Sequence, residues 1–151
     1  MFMGNLVLGG LLVVAAYTDL MRRQIPNRLI GAGLCTFLVM ALWLRSQTEM
    51  ALLIGCLQAG GLAFALHLIP YVCKAMGAGD VKLALVIGLL LGWRAWMDYL
   101  AAFGMVCLAV SLGLLLLVLC GRKRPKTLPM APLMTAAYAL CQLPIPWGQW
   151  V

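Results

Sequence analysis

Long apolar runs, separated by short polar clusters that hold nearly all the charge, dominate this sequence. Hydrophobic residues make up 65% of the 151 residues and charged residues only 10%, with a mean hydropathy of +1.04. Soluble domains carry about 25% charged residues, whereas about 20 consecutive apolar residues are enough to cross the hydrocarbon core of a bilayer. The composition therefore predicts an all-α, polytopic membrane protein that forms a single domain over residues 1–151.

Six apolar segments are candidates for membrane-spanning helices. The fourth and sixth segments are the weakest candidates. The uninterrupted apolar part of the fourth, residues 81–92, is short for a membrane span, and Pro129 and Pro132 interrupt the start of the sixth. Either could be tilted, partly re-entrant or broken. The first is expected to be retained, since no basic residue precedes it and two follow it closely. The six segments are Phe2–Thr18, Arg28–Leu44, Ala51–Val72, Met76–Trp93, Ala95–Cys120 and Leu128–Leu143.

The distribution of lysine and arginine predicts the orientation of these segments. If the N-terminus lies outside, the loops after the first, third and fifth spans face the cytosol, and only Arg45 and Arg94 lie on the other side. This arrangement satisfies the positive-inside rule. It also accounts for the net charge of +7, because basic residues in cytosolic loops fix the orientation and are attracted to anionic membrane lipid. The charge therefore does not imply a nucleic-acid partner. The cytosolic basic residues are Arg22, Arg23, Arg28, Lys74, Lys82, Arg122, Lys123, Arg124 and Lys126.

The cysteines and the single histidine give no sign of a metal site or a disulfide framework. The six cysteines are scattered singly and form no C-x-x-C pair, so we expect them to be small apolar residues within helices. His67 has no ligand partner nearby and is expected to be a polar packing residue. No metal or other cofactor is expected. The cysteines are Cys35, Cys56, Cys73, Cys107, Cys120 and Cys141.

The four acidic residues divide evenly between the two predicted membrane faces. Glu49 and Asp98 fall on the outer side, each four residues after an arginine, which is the spacing of an ordinary helical or interfacial ion pair. Asp19 and Asp80 fall on the cytosolic side, at the end of the first span and the entrance to the fourth. Each also has a structural explanation, because Asp19 could pair with a following arginine and Asp80 could be the N-cap of a helix.

The residues around the two cytosolic aspartates favour a catalytic role over these structural ones. Gly77 and Gly79 precede Asp80, and glycines allow positive φ angles and the close approach of an extended peptide. In the segment 19–27, Pro26 stops the helix and Asn27 suits the start of the next. The pattern predicts a short, shaped loop that holds the other carboxylate at the membrane surface.

Two carboxylates that share one water molecule cannot both ionise easily, so one acts as a base while the other keeps its proton. This is the chemistry of an aspartic protease, and the sequence leaves open which aspartate plays which part, because the pair titrates as a unit. Lys82, two residues after Asp80, could tune the pair or contact lipid phosphate, and the second role is favoured.

A non-enzymatic interpretation remains open beside the protease. Two intramembrane acids would also suit a small proton-coupled carrier, or a membrane scaffold with two interfacial aspartates. A carrier would not obviously need the glycine-flanked segment, and no inverted repeat is visible in the sequence.

At these residues the sequence resembles the type IV prepilin peptidases, the polytopic aspartic leader peptidases with a G-x-G-D motif. It looks most like their short, single-domain TadV/CpaA-type members. The matching elements reach from the first span to the last: Asp19 with Arg23, Ile25, Pro26 and Asn27; Gly77-Ala78-Gly79-Asp80 followed by Val81-Lys82-Leu83; and the basic patch 122–126 leading into Leu128-Pro129-Met130-Ala131-Pro132.

The resemblance implies that Asp19 and Asp80 are the catalytic pair, with Gly77, Gly79, Lys82, Arg23, Pro26 and Asn27 in supporting or substrate-binding positions. It implies a prepilin or pseudopilin substrate, cut at the cytosolic face of a bacterial inner membrane, with type IVb, Flp-like prepilins as the expected class. Larger relatives carry a cytosolic, often zinc-binding insertion and methylate the new N-terminus. This chain lacks that insertion, so peptidase activity without methyltransferase activity and without zinc is expected. The oligomeric state is left open.

Presenilin and signal peptide peptidase form the other group with a G-x-G-D motif. Their first aspartate directly follows a tyrosine, whereas Thr18 separates Tyr17 from Asp19 here. Their Pro-Ala-Leu triplet is also missing from this chain. The prepilin peptidases are therefore the better match.

Overall fold

A computed structural model describes residues 2–74, 76–120 and 129–142, and all regular structure within these ranges is helical. The predicted all-α class is therefore confirmed. The helices are α1 (Phe2–Arg22), α2 (Asn27–Ser46), α3 (Met50–Val72), α4 (Ala78–Leu119) and α5 (Met130–Cys141).

Most of these helices have the length and the surface of membrane-spanning segments. Within the described ranges, α1 to α4 each contain a stretch long and apolar enough to cross a bilayer, and α5 is a shorter apolar helix. Large apolar side chains point outward along them, such as Val39 at 69% and Val72 at 71% exposure, which suits contact with lipid tails. The structure thus confirms a multi-pass membrane protein, while the six-span count and the outside N-terminus remain predictions.

The first half of α4, residues 78–91, packs antiparallel against α3 at a very short distance. A methyl group added at Gly88 would lie 2.6 Å from the carbonyl oxygen of Ala59 and 2.9 Å from Ala63. One added at Gly60 would lie 2.6 Å from the side chain of Leu89. Small residues on both helices therefore let the two backbones approach, as is common between membrane helices.

Helix α4 reverses its direction at Gly92. A straight α-helix of 42 residues would be about 63 Å long, roughly twice the thickness of the hydrocarbon core. Gly92 interrupts it with a φ of 72°, in the left-handed region that favours glycine. Trp93 lies against Gly55 near the start of α3, while Phe103 contacts His67 near the end of α3, with ring centroids 5.8 Å apart. Residues 93–119 therefore run back along α3, opposite to residues 78–91.

Helix α5 runs antiparallel to α1, and three hydrogen bonds fix its register. The hydroxyl of Tyr138 donates to the carbonyl oxygen of Asn5 at 2.6 Å, and that of Thr135 donates to the carbonyl oxygen of Leu12 at 3.0 Å. The third bond joins the first turn of α5 to Asp19 near the end of α1. The start of α5 is therefore placed beside the last turn of α1.

Two other expectations have different outcomes. His67 is a buried packing residue as predicted, and its Nδ1 donates to the carbonyl oxygen of Ala63 at 2.8 Å.

The predicted ion pair of Glu49 is not formed within the described residues, because α2 ends one residue after Arg45 and the two side chains share no helix. Asp98 shares its helix with an arginine, yet no ion pair joins them either. An arginine placed before the acid is the weaker order for such pairs.

Candidate active site

Asp19 and Asp80 line a single cavity of about 330 Å³ at one end of the helix bundle. Both carboxylates are buried, with exposures of 8% and 9%. The structure thus brings together the two acids that the charge distribution had paired. The lining residues are Asp19, Arg23, Gln24, Ile25, Asn27, Gly77, Ala78, Gly79, Asp80 and Lys82.

Asp80 is held by the first turn of its own helix. Gly77 is the N-cap of α4, and Asp80, at the third helical position, accepts a hydrogen bond from the Gly77 N–H at 3.1 Å through Oδ2. The interpretation of Asp80 as the N-cap is therefore wrong by three positions. Such a bond from a helix N-terminus satisfies an otherwise unpaired amide and holds the carboxylate in one orientation.

The glycines before Asp80 do not adopt the positive φ angles that the sequence suggested, while their contact with a peptide stays a prediction. Gly77 has a φ of −80°, and Gly92 alone among the described glycines has a positive φ. Gly79 lies in the first turn of α4, where an added methyl group would be 3.2 Å from Cβ of Ile25. These glycines therefore provide close approach between parts of this chain rather than unusual backbone angles.

Asp19 lies within α1, one turn before its end, rather than in a loop. No helix breaker follows it until Pro26, so the helix continues to Arg22, and the Arg23 N–H donates to the Asp19 carbonyl oxygen at 2.9 Å. The side chain of Asp19 accepts a hydrogen bond from the buried N–H of Ala131 in α5, at 3.1 Å through Oδ2. Each aspartate thus has one carboxylate oxygen bound to the N-terminus of a helix.

The connection between α1 and α2 docks on the first turns of α4. Ile25 packs on Gly79, and the Lys82 ammonium donates to Oδ1 of Asn27 at 3.3 Å. Asn27 occupies the first helical position of α2, and Pro26 precedes it as the N-cap, outside the cavity lining. Of the residues predicted to support the site, all except Pro26 therefore line the cavity.

The cavity combines two buried carboxylates with two cationic side chains, Arg23 and Lys82. Over residues 2–74, 76–120 and 129–142, no group of three or more His, Cys, Asp or Glu side chains is placed to hold a metal ion. The cavity lining therefore provides two carboxyl groups that can act as acid and base, and each is held by a hydrogen bond from a helix N-terminus. Such groups suit proton transfer to and from a bound polar substrate.

The model of the type IV leader peptidase family matches residues 6–121 of the chain. The chain therefore belongs to the type IV leader peptidase family. It is accordingly a peptidase, with prepilins as the general substrate class of the family. The matched range includes every residue that lines the cavity and ends before α5. No curated protein and no solved structure matches the chain.

Sequence reasoning missed the contact between Ala131 and Asp19. The donor is a backbone amide, which every residue except proline possesses, so no residue type marks it. The only signal was the pair Pro129 and Pro132, which brackets the start of α5. The basic patch 122–126 and Leu128, which the resemblance also includes, lie outside the described residues.

Proposed function

We propose that Asp19 and Asp80 are the catalytic pair of an aspartic endopeptidase that removes the leader peptide of prepilins or pseudopilins. The observation that carries this proposal is the burial of both carboxylates in one cavity. The Lys82 ammonium is hydrogen-bonded to Asn27, so pairing with this lysine does not account for the burial of the two carboxylates. Buried acids with a shared cavity are typical of catalytic sites.

In this mechanism the carboxylate pair carries one proton. The ionised member takes a proton from a water molecule as that water attacks the peptide carbonyl carbon, and the protonated member donates to the carbonyl oxygen. The newly protonated carboxyl group then gives its proton to the leaving nitrogen as the C–N bond breaks. At the same time the other carboxylate takes a proton from a hydroxyl group of the tetrahedral intermediate, which restores the singly protonated pair. The hydrogen bonds from Gly77 and Ala131 both go to Oδ2, and the mechanism assigns these proton transfers to Oδ1 of each aspartate.

The proposed substrate is a type IVb, Flp-like prepilin, processed at the cytosolic face of a bacterial inner membrane. The cavity lies at a helix-bundle end bordered by Arg22, Arg23 and Arg28, which is cytosolic under the positive-inside rule. A leader that precedes a hydrophobic helix would reach this end while its helix remains in lipid. The Gly77–Gly79 segment, Asn27 and Lys82 are the proposed surface for the extended cleavage segment.

The connections between the helices argue for a peptidase of the short TadV/CpaA-type. The link from α1 to α2 spans residues 23–26, and that from α3 to α4 spans residues 73–77. Neither has room for an inserted zinc-binding unit, which normally needs paired cysteines. We therefore propose leader cleavage without methylation of the new N-terminus.

Co-expression with a Flp-like prepilin, followed by mass measurement of the pilin N-terminus, tests this function. The expected result is a single cut just before the hydrophobic helix, with an unmethylated new N-terminus. A prepilin that keeps its full leader would contradict the proposal. A pilin that gains a methyl group only in the presence of this protein would contradict the restriction to cleavage.

Activity is expected to fall at both low and high pH. Protonation of the second carboxylate removes the base, and loss of the shared proton removes the acid, so the rate follows a bell-shaped curve with two macroscopic pKa values of the pair. The other charged groups that face the cavity are Arg23 and Lys82. Rates of prepilin cleavage at pH values from 4 to 10 are the measurement. A flat profile would contradict a shared-proton mechanism.

Replacement of Gly79 by alanine is expected to slow cleavage. The new methyl group would lie 3.2 Å from Cβ of Ile25 and would push the α1–α2 connection away from α4. A shift of a few tenths of an ångström at a catalytic pair is expected to cost roughly threefold to tenfold in rate. Gly31→Ala is the matched control, because nothing lies within 4 Å of the added methyl group. Equal rates for the two variants would show that this contact does not set the geometry of the site.

A further inference from the structure

We infer that the first turn of α5 is a positioning element for Asp19, acting through the backbone N–H of Ala131. The inference rests on the proposed catalytic role of Asp19. Its basis is the hydrogen bond from this N–H to Oδ2 of Asp19, at 3.1 Å and fully inside the bundle. The donor belongs to a part of the chain beyond the range that the family model matches.

The Ala131 N–H has no ready substitute for this bond. Ala131 is completely buried and does not line the cavity, so water does not readily reach its amide. Helix first turns contain amides without a partner in their own helix, and Pro132 removes one of these donors from α5. A buried amide that loses this carboxylate would be left unsatisfied, which is costly in an apolar bundle.

The register of α5 determines where this amide lies. Thr135 and Tyr138 bind the carbonyl oxygens of Leu12 and Asn5 on α1, and these bonds lock α5 along the length of α1. The third bond of the series, from Ala131, then falls on the side chain of Asp19 instead of on the backbone. The packing of α5 against α1 therefore fixes the orientation of the Asp19 carboxylate.

The two aspartates consequently differ in what holds them. Asp80 is bound by the Gly77 N–H within its own helix, so its orientation is a local property of α4. Asp19 is bound by a residue 112 positions away in sequence. A displacement of α5 would therefore turn the Asp19 carboxylate relative to Asp80 while leaving Asp80 in place. Precise alignment of the pair is what the catalytic step requires.

Replacing the amide at position 131 with an ester, by incorporation of the α-hydroxy acid analogue of alanine, removes this N–H and also weakens the carbonyl oxygen of Met130 as an acceptor. The side chain and the proline pattern of α5 remain. We expect kcat for prepilin cleavage to fall by about tenfold to hundredfold, the effect of losing a hydrogen bond to a charged group. KM is expected to stay unchanged, because the lost bond orients the carboxylate and does not bind substrate.

The same ester replacement at Met130 is the matched control. Its N–H lies in the same helix turn and forms no hydrogen bond within the described residues, so kcat and KM should match those of the native chain. Circular dichroism and gel filtration of both esters establish that each is folded.

The outcomes separate this inference from the proposed function. A folded 131 ester with native kcat, alongside an inactive Asp19→Asn, would overturn the positioning role and leave the catalytic role intact. Equal losses in the 130 and 131 esters would also overturn it, since a general weakening of α5 would then explain both. Cleavage by Asp19→Asn at the native rate would instead remove the proposed function.

Discussion

Asparagine in place of either Asp19 or Asp80 is expected to lower the rate of prepilin cleavage by about 10²-fold to 10⁴-fold. Asparagine keeps the size of the side chain and its ability to accept the bond from Ala131 or Gly77, but it neither takes nor gives a proton. Each variant should therefore fold and bind its prepilin while failing in the chemical step. Initial rates in proteoliposomes, with substrate above KM, measure this loss.

Glu49→Gln and Asp98→Asn are the matched controls for these substitutions. They remove the only other carboxylate side chains of the chain, and neither residue lines the cavity that holds Asp19 and Asp80. Both controls are expected to cleave at the native rate. If a control loses as much activity as the two site variants, the effect follows from the loss of any acidic residue, and the proposed pair has no special role.

Gly88→Ala is expected to have the largest effect on stability. The added methyl group would lie 2.6 Å from the carbonyl oxygen of Ala59 and 2.9 Å from its carbonyl carbon, and a backbone cannot move away as a flexible side chain can. Helices α3 and α4 would have to separate along their closest contact. Overpacking of this kind typically costs about 1 to 3 kcal/mol, and contact with backbone places this case at the upper end.

Gly61→Ala tests whether that cost arises from the contact or from the loss of a glycine. Gly61 lies on α3 next to Gly60, and nothing is within 4 Å of a methyl group added there. Alanine has a helix propensity about 1 kcal/mol more favourable than glycine, so this control should be neutral or slightly stabilising. Thermal unfolding in detergent compares the two. Native stability of Gly88→Ala would contradict the described packing of α3 against α4.

The pairing of Asp19 with Asp80 was predictable because charge is scarce in this chain. With four acidic residues and basic residues clustered in alternate loops, topology alone leaves two acids on one side. Long apolar runs likewise indicate helices wherever they occur. These features depend on residue type and on order along the chain, which are properties that a sequence displays directly.

The local geometry was less predictable. The end of α1 was placed at Thr18, whereas the helix continues to Arg22, because helix termini depend on weak local preferences and on packing. Gly79 was expected to allow a positive φ, which it does not adopt, and its contact with Ile25, a residue distant in sequence, was not expected. The reversal at Gly92 separates the predicted fourth and fifth spans, but sequence does not distinguish a left-handed glycine from a helical one.

The central proposal is that this chain cleaves prepilins with Asp19 and Asp80. The most direct test is the intact mass of a purified Flp-like prepilin after incubation with the purified protein in lipid, using the native chain and each asparagine variant. The native chain is expected to produce a leader and a mature pilin by one cut, whereas Asp19→Asn and Asp80→Asn are each expected to leave only the precursor. Precursor at full mass with the native chain, or mature pilin with both variants, would contradict it.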